Sequence, residues 1–351
     1  MNATALAAAA LVAPGKGILA ADECGTTMSC LLASAGCAPT AQVRRAYREL
    51  LVTTPGLASG ISGVILCAQT LGQRLSDGRP FPAAIADLGM MTGVRADAGG
   101  KPLAGSRGET ITEGLDGLLP RLDEYAGLGA QFATWRAVLR IGPGTPSPLA
   151  VRANAQALGR FAAACQAAGL IPVAEPEVLS DGAHSLGHCE TVTSVVLLEV
   201  MDELHGYGVD FESVVLAPSM VLPGSTSGAS TSPAQVAEAT IGTLTGIPAT
   251  LAGIAFLPGS QRPEHAAGNL AAMQHIPHLW PLTFCFGPVV ADTVLAGTAL
   301  AGPAPAAWPG RRGRPARWTA AQRAVAQQVA ANAAAVGGRY THEADLELAP
   351  V

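Results

Sequence analysis

Lysine is the scarcest charged residue of this chain. Of its 21 basic side chains, 19 are arginines, and only Lys16 and Lys101 are lysines. Charged residues make up 13% of the 351 residues and leave a net charge of −5. A chain with this balance and no basic stripe lacks the electrostatic footprint of a protein that binds nucleic acid or an anionic membrane. Neither is therefore an expected partner, and we expect a small-molecule substrate instead.

Long apolar runs and cysteine motifs are also missing. No stretch approaches the roughly 18–20 apolar residues of a membrane-spanning helix. The apolar start lacks the basic residues of a secretory signal and is typical of an alanine-rich helix. The seven cysteines are odd in number, form no CxxC motif and have no zinc-site spacing. We therefore expect a cytoplasmic protein with reduced thiols, without a metal or other cofactor.

Eight short β-rich runs alternate with helical stretches such as Thr112–Leu128. The runs cover residues 17–22, 61–66, 91–96, 134–141, 170–174, 213–216, 253–257 and 282–286. Such alternation indicates a parallel sheet, because each connection must cross the face of the sheet. Eight units in this length favour a closed barrel. The predicted fold class is α/β, a (β/α)8 TIM barrel in a single domain over residues 1–351, with an N-terminal helix and a short polar C-terminal tail.

Polar side chains stand at the carboxyl ends of the predicted strands, where barrels of this type carry their active sites. These side chains include Asp22, Glu23, Arg95, Asp97, Thr134, Arg136, Arg140, Glu175 and Glu177. Thr134 and Arg136 share one face because side chains alternate along a strand. Three carboxylates and two or three guanidinium groups at one mouth exceed what packing requires, so this end of the barrel is the candidate active site.

Longer motifs occur in a fixed order along nearly the whole chain. They include APGKGILAADE at 13–23, GETITEGLDG at 108–117, WRAVLRIG at 135–142, IPVAEPE at 171–177 and GRYT at 338–341. In sequence and order they resemble the class I fructose-bisphosphate aldolases. The resemblance implies the same barrel, commonly assembled as a homotetramer. It also implies a reaction that cleaves fructose 1,6-bisphosphate into dihydroxyacetone phosphate and glyceraldehyde 3-phosphate.

The residues matched to the family's catalytic lysines differ here. In the family, a lysine on the sixth strand begins a Lys-Pro-Asn-Met motif and forms an imine with the ketose carbonyl. The matching motif here is Ala217-Pro-Ser-Met220. A second family lysine is matched by Thr134 and a third by Arg95. A methyl group cannot condense with a carbonyl, so ordinary imine-dependent cleavage is not expected.

The family's phosphate-binding residues also differ. Its Ser-Gly-Gly after the seventh strand is matched by Pro258-Gly-Ser260, and its arginine after the eighth strand by Pro288. These replacements indicate that the substrate has changed together with the mechanism.

The family's acids are retained, and the resemblance gives proton-transfer roles to Asp22 and Glu175. Asp22, Glu175 and Glu177 are the predicted catalytic residues. Partly buried acids that lose cationic neighbours have raised pKa values, which suits general acid/base work near neutral pH. The predicted substrate-binding residues are Arg136, Arg95, Thr134, Ala217, Ser260 and Cys285.

A lysine elsewhere in the chain is a less favoured source of an imine. Lys16 precedes the first strand and so belongs to the opposite end of the barrel. Lys101 follows the third strand in a glycine-flanked loop on the catalytic side. A solvated loop lysine is the ordinary interpretation of that position.

Three hypotheses remain open. The first is a repurposed enzyme acting on a small anionic carbonyl or imine substrate by aldol-type C–C chemistry, dehydration or condensation. The second is a fructose-bisphosphate aldolase with weak or no activity. The third is a catalytically silent barrel that binds a sugar phosphate or pairs with an active paralogue. We favour the first, because the imine lysine and the phosphate-binding residues are replaced together.

Overall fold

Eight parallel strands close into a barrel in the computed structural model, which describes residues 2–23, 25–34, 38–106, 108–287 and 316–341. The strands in chain order are β1 Gly17–Ala21, β2 Ile61–Cys67, β3 Met91–Arg95, β4 Gly100–Pro102, β5 Thr110–Thr112, β6 Phe132–Arg140, β7 Ile171–Leu179, β8 Val215–Leu216, β9 Gly253–Phe256 and β10 Leu282–Phe286. The barrel order is β1-β10-β9-β8-β7-β6-β3-β2, and β4 and β5 form a separate hairpin. The predicted (β/α)8 TIM barrel is confirmed. Pro288 and most of the predicted C-terminal tail, residues 342–351, lie outside the described residues.

Helices connect the strands around the outside of the barrel. They are α1 Ala3–Leu11, α2 Gly25–Ser34, α3 Ala41–Val52, α4 Ala68–Leu71, α5 Phe81–Ala86, α6 Leu118–Gly127, α7 Pro148–Ala167, α8 Leu186–Gly206, α9 Pro233–Gly242, α10 Pro263–Met273 and α11 Ala316–Val336. None of the described helices combines the length and apolarity needed to cross a bilayer.

The helix predicted over Thr112–Leu128 is wrong in its first part. Thr112 ends strand β5 and pairs with Gly100 of β4 in the antiparallel hairpin. Gly114 and Gly117 then adopt φ values of +122° and +61°, and α6 begins only after Gly117. The β-branched Thr-Ile-Thr segment favours a strand, and the two left-handed glycines delay the start of the helix.

The amino-terminal end of the barrel is closed by α1. Its residues Ala8 and Leu11 pack into the barrel interior with Ile18, Phe132 and other buried side chains. The Asn2 side chain caps this helix by accepting a hydrogen bond from the Ala5 amide at 2.8 Å. Because this end is filled, the opening of the barrel lies at the carboxyl ends of the strands.

Strands β6 and β7 carry charged residues at that opening. Each has nine residues, and they pair in parallel so that Arg136 lies opposite Glu175 and Val138 opposite Glu177. Side chains that alternate along each strand thus bring one guanidinium group and two carboxyl groups to the same side of the sheet.

Candidate active site

A cavity of about 320 Å³ opens at the carboxyl ends of the barrel strands. It is lined by Ala20, Asp22, Glu23, Thr27, Ile65, Arg95, Thr134, Arg136, Glu175, Glu177, Leu257, Pro258, Gly259, Gln261, Cys285 and Gly287. Its volume lies at the lower end of the range of roughly 300–1,000 Å³ typical of small-molecule pockets. The cavity can therefore hold a small metabolite.

Seven of the nine residues predicted from the sequence line this cavity; Ala217 and Ser260 do not. Ala217 is fully buried in the barrel interior, where its amide donates a hydrogen bond to the Ala174 carbonyl at 2.7 Å. Its methyl group packs in the apolar interior of the barrel. The Ser260 hydroxyl lies 2.7 Å from that of Ser180 and lines a neighbouring groove. The binding roles of Ala217 and Ser260 stay predictions.

Arg136 and Glu177 form an ion pair at the edge of the cavity. The guanidinium donates from Nε and Nη2 to the same oxygen, Oε2 of Glu177. The Glu177 side chain is 3% exposed and that of Arg136 is 44% exposed. Burial disfavours the charge of Arg136, but the carboxylates of Glu177 and Glu175 outweigh this effect and raise its pKa. A buried carboxylate is thus stabilised by a cation that still reaches solvent.

Arg95 is held in the same way by Asp97. Its Nε lies 3.0 and 3.1 Å from the two Asp97 oxygens, and its Nη2 donates to Oδ1 at 2.8 Å. Nη1 of Arg95 lies 3.9 Å from Oδ2 of Asp22. Arg95 and Arg136 were expected to hold an anionic substrate, but both guanidinium groups are already paired with carboxylates.

Asp97 links the two arginines, although the sequence reasoning assigned it no role. Its side chain is fully buried, and it also accepts hydrogen bonds from the backbone amides of Gly99 and Arg136 at 2.9 and 3.3 Å. The spacing of two residues between Arg95 and Asp97 at a strand end was the available signal. What it did not indicate is the contact with β6, 39 residues further along the chain.

The Glu175 carboxyl group has no close partner among the described residues. No hydrogen bond or ion pair from them reaches it, and the residue, which is 8% exposed, lines the cavity. Burial raises the pKa of Glu175 to about 8, with a further increase from Asp22, and Arg136 lowers it only in part. Glu175 therefore carries a proton at neutral pH.

Asp22 and Glu23 extend the acidic wall from the end of β1. Burial raises the pKa of Asp22, and Arg95 lowers it in part. Burial, followed by the charge of Asp22, raises the pKa of Glu23 to about 7. Glu23 lines the cavity but was not among the predicted site residues; its position directly after Asp22 was the available signal.

The nucleophilic side chains considered from the sequence do not gain support. Neither lysine lines the cavity: Lys16 precedes β1 at the opposite end, and Lys101 is exposed on the β4–β5 hairpin. Burial raises the pKa of Cys285 well above its usual range, so this thiol stays protonated. Within the described residues, no three His, Cys, Asp or Glu side chains are grouped so as to hold a metal ion.

A comparison with protein families finds one match that covers almost the entire chain. The model of class I fructose-bisphosphate aldolases matches residues 4–349. The chain belongs to this family.

Individual aldolases agree with the family assignment. The chain is 45% identical over 290 residues to a probable fructose-bisphosphate aldolase class 1 from Xanthomonas campestris, covering 82% of this chain and 87% of the relative. It is 42% identical over 334 residues to fructose-bisphosphate aldolase B from Gallus gallus, covering 94% and 88% of the two chains.

A solved aldolase structure has the same fold. Fructose-bisphosphate aldolase from Plasmodium falciparum, solved in complex with TRAP and a small molecule inhibitor, superimposes with a TM-score of 0.89. The two chains are 36% identical, and the match covers 96% of this chain and 95% of the other. The two chains thus share the aldolase barrel.

Proposed function

We propose that this member of the aldolase family is a repurposed enzyme that works without an imine on the protein. It uses carboxylate acid/base chemistry on a small carbonyl or imine compound. The observation that carries the proposal is a cavity with four carboxyl groups and no lysine, in which Glu175 is buried, unpaired and protonated at neutral pH.

The first support is the lack of an amine in the cavity. By resemblance to the family motif, Ala217 stands where the imine lysine is expected, and Thr134 where a second lysine is expected. Lys16 and Lys101, the two lysines of the sequence, both lie away from the cavity. A substrate carbonyl therefore meets no protein amine and is bound noncovalently.

The second support is that the acids of the cavity have different surroundings. Glu175 is placed to donate a proton to a carbonyl oxygen or imine nitrogen. Glu177 is held in an ion pair by Arg136, and Asp22 lies on the opposite side of the opening. Neighbouring carboxyl groups whose environments separate their proton affinities are the usual arrangement for acid/base catalysis. Aldol-type C–C chemistry, dehydration and condensation each need such a donor and acceptor.

The third support concerns substrate size. The family's phosphate-binding serine after the seventh strand is matched by Pro258, whose ring nitrogen cannot donate a hydrogen bond. The cavity of about 320 Å³ and this replacement favour a smaller ligand than a sugar bisphosphate. We further propose a cytoplasmic location, which fits a plant relative from Arabidopsis thaliana that is named a cytosolic fructose-bisphosphate aldolase.

The decisive experiment follows exchange of α-protons with solvent. Incubating the protein with hydroxyacetone in D₂O and recording ¹H NMR spectra should show enzyme-dependent loss of the α-proton signals. Glu175→Gln should slow this exchange at least tenfold, because the amide has no acidic proton to donate. Glu124→Gln, on the exposed face of α6, is the matched control and should leave the rate unchanged.

Two further assays separate the alternatives. Borohydride treatment in the presence of hydroxyacetone should leave the protein mass unchanged, because no protein imine is available to be reduced. Robust cleavage of fructose 1,6-bisphosphate would overturn the proposal in favour of an ordinary aldolase. Absence of any exchange by the native protein, with equal rates in both variants, would favour the catalytically silent barrel.

A further inference from the structure

The cavity is lined by more acidic side chains than basic ones. Four carboxyl groups, those of Asp22, Glu23, Glu175 and Glu177, face two guanidinium groups. Asp97 adds a fifth carboxyl group behind Arg95. Within the described part of the chain, both cations of the lining are therefore already compensated, while acidic groups remain in excess.

Glu175 provides a second and independent observation. More than nine-tenths of this residue is buried, its carboxyl group faces the cavity, and no hydrogen bond from a described residue reaches it. Buried polar groups are almost always hydrogen-bonded. An unpaired acceptor at the wall of a cavity thus marks a place where a ligand donates.

The charged side chains around Glu175 determine which kind of ligand group can donate a hydrogen bond to it. Asp22 approaches from β1 and Asp97 from the end of β3, and both carry acidic charge; Arg136 on β6 is occupied by Glu177. A phosphate or carboxylate placed here would meet carboxyl groups without a free cation among the described lining residues. An ammonium group would instead donate to Glu175 and lower the pKa of this carboxyl group, so that its proton is released to solvent and the resulting carboxylate pairs with the cation.

We propose that the substrate of this site carries a primary amine, bound as an ammonium ion between Asp22 and Glu175. The inference rests on the proposed function, since it names the substrate class of the same cavity. It replaces the anionic substrate expected from the sequence, because that expectation treated Arg95 and Arg136 as uncompensated cations. With no lysine at the opening, the substrate brings the only amine that the site holds.

The test uses three-carbon ketones that differ in charge. Aminoacetone is a cation at neutral pH, hydroxyacetone is neutral, and dihydroxyacetone phosphate is an anion. Dissociation constants measured by isothermal calorimetry with the full chain should rank aminoacetone at least tenfold tighter than hydroxyacetone. Dihydroxyacetone phosphate should bind weakest.

Three variants connect the preference to the named residues. Glu175→Gln and Asp22→Asn should each reduce the preference for aminoacetone about tenfold, while Glu124→Gln should retain it. Equal or tighter binding of dihydroxyacetone phosphate would overturn the inference. A preference for the amine that survives both Glu175→Gln and Asp22→Asn would do the same, since the ammonium would then bind elsewhere.

The same samples separate this inference from the proposed function. If α-proton exchange occurs but aminoacetone has no advantage, the acid/base enzyme stands and the substrate class is wrong. If aminoacetone binds selectively and no exchange of either ketone is seen, the amine specificity stands and the catalytic proposal fails.

Discussion

Glu175 and Glu177 lie two residues apart on one strand, yet their surroundings give them different chemistry. Glu177 receives two guanidinium hydrogen bonds from Arg136, while Glu175 receives none from the described residues. A buried carboxyl group without a partner has a raised pKa. One strand thereby presents a proton donor and an ion-paired carboxyl group within the same cavity.

The raised pKa of Glu175 predicts how stability depends on pH. Between its ordinary value of 4.5 and about 8, the folded protein retains a proton that the unfolded chain releases. Its contribution to stability is therefore complete below pH 4.5 and is lost as pH rises towards 8, by up to about 1.4 kcal/mol per pH unit. Glu23 and Asp22, whose pKa values are also raised, add to the same slope.

Urea unfolding at pH 5, 6, 7 and 8 measures this effect. Glu175→Gln should flatten the decline of the unfolding free energy relative to the native chain, because the amide does not titrate. Glu124→Gln should keep the native slope. A decline of the same size in Glu175→Gln and the native chain would contradict the assignment of this proton to Glu175.

The ion pair between Arg136 and Glu177 predicts a coupled effect on stability. Arg136→Met leaves the Glu177 carboxylate, 3% exposed, without its hydrogen bonds and should cost about 2 kcal/mol. Replacing both residues by methionine should recover much of this loss, since an apolar pair leaves no unpaired charge. A double-mutant cycle by chemical denaturation measures the coupling, and simple additivity of the two substitutions would refute it.

At the scale of elements, the register between β6 and β7 decides which side chains meet. Arg136 lies opposite Glu175 but bonds to Glu177, the next residue on the same face of β7. A shift of one residue would move both carboxyl groups to the other face of the sheet. The site therefore depends on close packing between the strands that hold this register.

Gly93 on β3 is one point where neighbouring barrel strands, here β3 and β6, pack closely. A Cβ atom built there would lie 2.1 Å from Cε2 of Phe132 on β6, so a larger residue must displace the ring. Gly93→Ala should destabilise the fold by about 1–3 kcal/mol. Gly72→Ala is the matched control, because its Cβ would meet nothing within 4 Å and its φ is −83°.

Thermal unfolding of the two glycine variants provides the measurement. Gly93→Ala should melt several degrees below the native chain, and Gly72→Ala should melt close to it. Equal melting temperatures for both variants would show that Phe132 adjusts without cost.

For the whole molecule, the filled amino-terminal end of the barrel leaves one opening for substrate. Leu11 and Val12 are buried against the barrel interior, and the Ser62 hydroxyl lies within hydrogen-bonding distance of the carbonyl oxygens of Leu11 and Gly17. A substrate of the proposed enzyme would therefore enter where the strands end, beside the acids. Large apolar side chains also remain exposed on the outer helices, Val195 of α8 being 53% exposed.

The family resemblance and these exposed side chains together predict a homotetramer. Sedimentation velocity should give a species of four chains, each of 35.3 kDa. Val195→Asp should shift this species towards lower mass if α8 contributes to a contact between copies, because a charge is costly in an apolar interface. A single species with the mass of one chain would contradict the prediction.

Much of the fold could be predicted from the sequence because its signals are local. The alternation of apolar runs with helices, and family motifs in a fixed order, indicated the barrel and placed Asp22, Arg95, Arg136, Glu175 and Glu177 at one end. The main error, the helix expected from Thr112, arises where the signal is not local. Strand β5 pairs with β4 in a hairpin, and the periodicity of either segment alone does not reveal this pairing.

The sequence by itself determined the barrel, the scarcity of lysine and the presence of the acids at its opening. Only the tertiary structure decided that Ala217 is buried in the core, that Ser260 lies beside another groove, and that carboxylates occupy both arginines. It also showed that Glu177 is paired with Arg136, whereas Glu175 has no partner among the described residues. Charge compensation and proton affinity depend on which side chains meet across strands about 40 residues apart, and that proximity is a property of the closed barrel.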